Sequence, residues 1–324
     1  MTLRGVAALG CSLALVAGCP GGGVDGLVDA GFGPDVDAGA TDAGPVHDAG
    51  PISGARKLLL RGMVVDGLEA FAGEVVVDRV SGTVACVAVE CPPDEGTDVI
   101  DVRGQQVLIA PGLIDPHNHM QYNTLPPWRT DPTFSSRYRW QSNSDYRENF
   151  KTGYNRLGNG TTCDRMLYAE ARLLIGGTTS VQGSAGGDCM TGGVRNLEEG
   201  PRRAQHDDIR NIEVDVKAID RVSGSRISEL RSGLNDGSIK RYVPHIGEGV
   251  DGDSRAEFGT LAEYGLLGPR TSVIHGTGAG VDELMQMSAA GAALIWSPRS
   301  NLALYGETTK AGIAKSLGIP IALG

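Results

Sequence analysis

The stretch Val107-Leu-Ile-Ala-Pro-Gly-Leu-Ile-Asp-Pro-His-Asn-His119 decides how the rest of the chain is read. It starts as an apolar run, which predicts a strand buried on both faces. It ends in His117 and His119, with one residue between them. In extended backbone, side chains two apart share a face, so both imidazoles are expected to project together from the strand end. Such a pair suits a zinc-like ion, which takes imidazole nitrogen at about 2.0–2.1 Å. His-x-His alone is a weak signal. Its place at the mouth of a buried strand, behind Pro111-Gly112 and Asp115-Pro116, is what favours a metal.

From Val107 onwards, short apolar runs alternate with helix-like segments, which predicts a parallel α/β architecture over 107–324. Further strands are expected at Thr178–Gly183, Arg241–Pro244, Thr271–Ile274, Ala292–Trp296 and Ile319–Leu323. Helices are expected at Arg165–Leu174, Arg255–Tyr264, Asp282–Ala290 and Thr309–Leu317. The periodicity of Gly192–Ser238 is too weak to place its elements. Met120–Thr161 is long and aromatic, and reads as a loop positioned to cover a substrate or as a structural insertion.

Residues able to do chemistry follow those strands. His245 is followed by Ile-Gly-Glu248, and His275 by a Gly-rich turn; Trp296-Ser-Pro298 leads to Arg299-Ser300-Asn301. In a (β/α)8 barrel the carboxyl ends of the strands carry the active site. Four of the six histidines lie at such ends, while His47 and His206 sit in polar stretches.

Pro111-Gly-Leu-Ile-Asp-Pro-His-Asn-His119, His245-x-x-Glu248, Ile274-His-Gly276 and Ser297-Pro-x-Ser-Asn301 together resemble the amidohydrolase superfamily. The nearer likeness is to the branch holding cytosine and guanine deaminases and triazine hydrolases. It covers roughly 57–324 and implies a (β/α)8 TIM barrel with a partial N-terminal β-sandwich. It implies a hydrolase of non-peptide carbon–nitrogen bonds with one divalent ion, zinc or iron, held by His117, His119 and His245. By the same likeness His275 bonds the metal-bound water or a substrate carbonyl, Glu248 shuttles protons, and Ser300 and Asn301 face a small-molecule substrate. In such families the last metal ligand and base is an aspartate just past strand 8. The sequence given ends at Gly324, so the barrel is expected to be incomplete at strand 8 and the site to lack that base. Two alternatives stand beside this reading. One is a binuclear site bridged by Lys217, in the alternating run after Ile212; the other is a non-catalytic metal- or ligand-binding protein on a decayed hydrolase scaffold.

The chemistry has its own physical basis. A bound divalent ion brings a water's pKa towards ~7, and a carboxylic acid three residues past a ligand can serve both that water and a leaving amine.

Residues 57–106 form short β-branched runs between Gly, Pro and Asp, which reads as a small sheet with a thin core. Upstream, Met1–Gly18 has one cation, Arg4, and then an apolar stretch too short to be a lasting membrane helix. Leu15-Val-Ala-Gly-Cys19 resembles a bacterial lipobox, which implies export, cleavage before Cys19 and lipid anchoring of Cys19 to a cell membrane. Residues 19–56 repeat Asp-Ala-Gly at 29, 37, 42 and 48 and offer almost nothing bulky, so a disordered tether is expected. Its aspartates supply about half of the net charge of −10, so the acidity says nothing of cationic substrates. No basic stripe points to nucleic acid. Cys86, Cys91, Cys163 and Cys189 remain after export, enough for two disulfides; Cys86–Cys91 with Cys163–Cys189 is the simplest of three pairings.

Overall fold

The computed structural model describes the backbone of 13–17 and residues 54–67, 69–92, 95–158, 162–183, 193–197, 212–215 and 217–324. Cys19, most of the tether and Cys189 lie outside these residues. The chain divides into two compact units, Met1–Gly112 and Leu113–Gly324.

The first unit is a six-stranded sheet. It comprises β1 (Leu13–Ala17), β2 (Lys57–Asp66), β3 (Glu69–Asp78), β4 (Thr83–Ala88), β5 (Thr97–Asp101) and β6 (Val107–Pro111). β2 and β3 pair antiparallel from Lys57↔Asp78 to Asp66↔Glu69. Alternation does the rest: Leu60, Val64, Val75 and Ile109 point to one buried cluster, while Leu59, Val76 and Cys91 form another. A disulfide joins Cys86 to Cys91, as the spacing suggested. Cys163 is also disulfide-bonded.

The second unit carries short parallel strands: β7 (Leu113–Asp115), β8 (Thr178–Val181), β9 (Arg195–Asn196), β10 (Ile212–Asp215), β11 (Arg241–Ile246), β12 (Ser272–His275), β13 (Ala293–Trp296) and β14 (Ile321–Leu323). They pair in the orders β7-β8-β9 and β10-β11-β12-β13-β14, every pair parallel. The helices are α1 (Arg137–Trp140), α2 (Thr152–Arg156), α3 (Thr162–Ile175), α4 (Gly224–Asp236), α5 (Gly252–Glu263), α6 (Val281–Ala289), α7 (Pro298–Tyr305) and α8 (Ala311–Ser316). One face of the strands packs on the helices through Tyr242, Ile246, Phe258, Leu261, Val273, Leu284 and Leu294. The other face gathers Val243, Ile274 and Ile295. Each fully buried side chain of this size contributes about 1.5–3 kcal/mol.

Three sequence expectations change. The apolar run from Val107 is not one strand buried on both faces: it breaks at Gly112, with β6 in the first unit's sheet and β7 in the second. Leu108, Leu113 and Ile114 are exposed: β7 is an edge strand of its sheet, and β6, although paired on both sides by β1 and β2, leaves Leu108 on an uncovered face. Met120–Thr161 is not a plain loop, for it holds α1, α2, a 3-10 turn at Met120–Tyr122 and a π turn at Tyr146–Lys151. And α7, begun by Pro298, stands where no helix was expected, while α4, capped by the Ser223 side chain, lies in the stretch whose elements the sequence left unplaced.

Candidate metal centre

His117 and His119 leave β7 in a bend, not in extended backbone, so no shared strand face orients them. The bend is shaped by Asp115. Its Oδ1 accepts the His117 N–H at 3.1 Å and its Oδ2 accepts from Asn118 Nδ2 at 2.7 Å. The Asn118 N–H donates to the Gln182 carbonyl at the end of β8. His245 sits inside β11, on the face of Val243, and is almost wholly buried.

The tertiary fold brings these residues together. Ligand atoms of His117, His119 and His245 all lie within 4.8 Å of one another. His117 Nε2 faces His245 Nε2 at 3.2 Å. His245 Nδ1 lies 2.9 Å from the Asp215 carbonyl, which can only accept, so the His245 proton is on Nδ1 and a bare lone pair is on Nε2. Two nitrogens at about 2.0–2.1 Å from a tetrahedral ion stand about 3.3 Å apart. The donor set therefore fits a zinc-like ion. Burial, with His275 and the other imidazoles after it, holds His117 and His245 well below the usual imidazole range, which keeps them neutral and able to donate lone pairs.

His275 closes β12 and is the one non-glycine residue with positive φ among the described residues, at 69°. That turn removes it from the strand's alternation. Its Nδ1 donates to Asn301 Oδ1 at 3.0 Å, and its Nε2 lies 3.7 Å from Glu248 Oε2. Burial lowers the His275 pKa, and the Glu248 carboxylate works against this.

Glu248 is no exposed turn carboxylate. Its Oε1 accepts from Tyr305 OH at 2.9 Å, and Tyr305 OH accepts from Trp140 Nε1 at 2.8 Å. Arg137 Nη1 lies 3.5 Å from Glu248 Oε2, an ion-pair distance short of hydrogen-bond geometry. Arg137 Nη2 donates to Glu257 Oε1 at 3.1 Å, while Glu257 Oε2 accepts the Gly247 N–H at 2.7 Å. Burial works against the Arg137 charge, yet Glu257 and Glu248 outweigh it and its pKa is raised. Burial raises the Glu257 pKa.

Of the other sequence candidates, Asn301 is fully buried and its Nδ2 has no hydrogen-bond partner among the described residues. Ser300 Oγ donates to the Ser297 carbonyl inside its own helix. Lys217 is exposed and lies beyond the end of β10. Sequence reading quoted Ser297 in a motif without giving it a role, and missed Arg137, Glu257 and Tyr305. Only the four-residue spacing of Ser297, Asn301 and Tyr305 could have hinted at a shared helix face.

The α/β fold matches solved barrel structures over most of the chain. A triazine hydrolase from Arthrobacter aurescens matches 83% of this chain and 71% of its own, at 15% identity and TM-score 0.58. A zinc-bound adenosine deaminase from Xanthomonas campestris covers 82% and 68%, with 18% identity and TM-score 0.57. A guanine deaminase from Bradyrhizobium japonicum covers 83% and 69%, with 19% identity and TM-score 0.57. No family model and no curated protein matches the sequence. At these identities the likeness is one of fold.

Proposed function

We propose that this chain is a metal-dependent hydrolase of the amidohydrolase type, acting on non-peptide carbon–nitrogen bonds of a small molecule. The observation that carries the reading is the convergence of His117, His119 and His245, with two Nε2 atoms facing each other at 3.2 Å. Zinc-bound neighbours of the same fold support it. When bound, one zinc or iron ion supplies Lewis acidity that readies a water near neutral pH.

This chain's own residues do the rest. His117, His119 and His245 hold the ion. Glu248 takes a proton at Oε2 and returns it to the leaving nitrogen, within reach of His275. His275, whose Nδ1 donates to Asn301, offers the Nε2 lone pair to a donor, the attacking water or a substrate N–H. The unpartnered Asn301 Nδ2 is the donor offered to substrate. Ser300 contributes through the first turn of the same helix. The finer architecture belongs to the same proposal: β7–β14 act as the barrel strands and residues 57–106 as part of a β-sandwich. Export and a lipid anchor at Cys19 belong to the same proposal, resting on the lipobox-like sequence.

The test is metal content and turnover on the full chain. About one zinc per chain is expected, lost in His117→Ala and His245→Ala, and any turnover on a panel of amides, amidines and aminated heterocycles should be lost with it. Metal retained in both variants would sink the reading.

A further inference from the structure

Three contacts of the centre share one origin. Ser297 Oγ lies 3.0 Å from His117 Nδ1, Asn301 Oδ1 accepts from His275 Nδ1 at 3.0 Å, and Tyr305 OH donates to Glu248 Oε1 at 2.9 Å. These residues are the N-cap, the fourth and the last residue of α7. A spacing of four repeats one helix face at steps of about 6 Å. All three are buried, at 2%, 0% and 3% exposure. Their targets come from three separate elements: the bend after β7, the end of β12 and the end of β11.

We propose that α7 is the positioning element of the centre, with Ser297, Asn301 and Tyr305 as positioning residues that fix His117, His275 and Glu248 relative to one another. The helix is bounded to suit. Pro298 sets its first turn, and Gly306, at φ 71°, ends it immediately after Tyr305. A ligand imidazole is oriented by the bond its other nitrogen makes, and losing such a partner costs about 10–100-fold in metal affinity or activity. For His245 that partner is a strand carbonyl, which side-chain substitution leaves in place. For His117 it is the Ser297 hydroxyl, so Ser297 is where α7 acts on the metal. Asn301 and Tyr305 act on groups that do not hold it. The inference rests on the proposed metal site.

Zinc affinity of the full chain, read by competition with a chromophoric chelator, tests it. Ser297→Ala should weaken zinc about 10–100-fold, and Ser297→Thr, which keeps the hydroxyl, should recover most of that loss. Asn301→Ala and Tyr305→Phe should stay within about threefold of wild type, since neither touches a ligand imidazole. In isotope-edited infrared spectra, Tyr305→Phe should shift the carboxylate band that Glu248→Gln removes. Equal zinc affinity in folded Ser297→Ala overturns the proposal. So does a loss in all three variants that merely follows their melting temperatures, because that is the pattern of a packing role. If Ser297→Ala does not fold, Ser297→Thr and the Tyr305→Phe band decide. Wild-type protein that binds no zinc through His117 fails at the metal reading itself, a separate and visible outcome.

Discussion

Gly183 has no side chain because the Asn118 carbonyl occupies the place of one. A Cβ built there falls 1.4 Å from Asn118 O, and φ is +104°, where side chains are strained. The same Asn118 is held by Gln182 and Asp115 in the bend that presents His117 and His119. We expect Gly183→Ala to push that bend off β8, with loss of several kcal/mol of stability and most of the bound zinc. Thermal melts with and without zinc check this; a variant that melts and binds like wild type would contradict it. His275 shows the reverse case, a side chain kept in a left-handed turn because its imidazole is needed there.

At the scale of elements, the segment around α1 is fastened to the centre through Arg137. Its guanidinium is 3% exposed and lies between Glu248 and Glu257. Burial takes hydration from all three groups, so removing the one cation leaves two carboxylates without it. Arg137→Met should cost about 3–5 kcal/mol in denaturant unfolding, whereas Glu257→Gln should cost less because its N–H acceptor role survives. In the first unit, the turn after β3 is built on Asp78. Its Oδ1 accepts the Val80 and Ser81 N–H groups, and Arg56 bonds Oδ2. The Ser81 bond first, then Arg56, lowers its pKa from 3.8 to about 2. The folded pKa is below the unfolded one, so this contribution is full above about pH 4 and is lost as pH falls through about 2. Asp78→Asn should therefore flatten the acid side of the stability curve between those values, as circular dichroism at graded pH would show. An unchanged slope would assign the acid loss elsewhere.

For the whole molecule, the two units allow a ligand to act on one alone. Zinc at about a hundred times its dissociation constant should stabilise the second unit by about 2.7 kcal/mol and leave the first unmoved. Calorimetry should show a transition that shifts with zinc and is fixed in His117→Ala. At the same scale lies the anchor. No helix among the described residues is long and apolar enough to cross a membrane. If Cys19 carries lipid, the protein fractionates with membranes, and Cys19→Ser should release it; an unchanged distribution would remove the lipoprotein proposal.

The sequence by itself determined the parallel α/β class and the residues worth watching, and it made the short-range disulfide the simplest of three pairings. These are local matters: apolar runs at strand period, helix segments between them, five residues from Cys86 to Cys91, and histidines placed after strands. It misjudged the Val107 run because a strand's burial depends on which sheet it joins, and Gly112 lets the two halves join different ones. The tertiary structure alone decided which nitrogens meet. His117 finds His245 across 128 residues and Ser297 across 180, and Arg137 finds Glu257 across 120. No pattern of neighbours encodes such pairings. They arise when strands align side by side and the burial of their apolar faces fixes the few polar groups left between them.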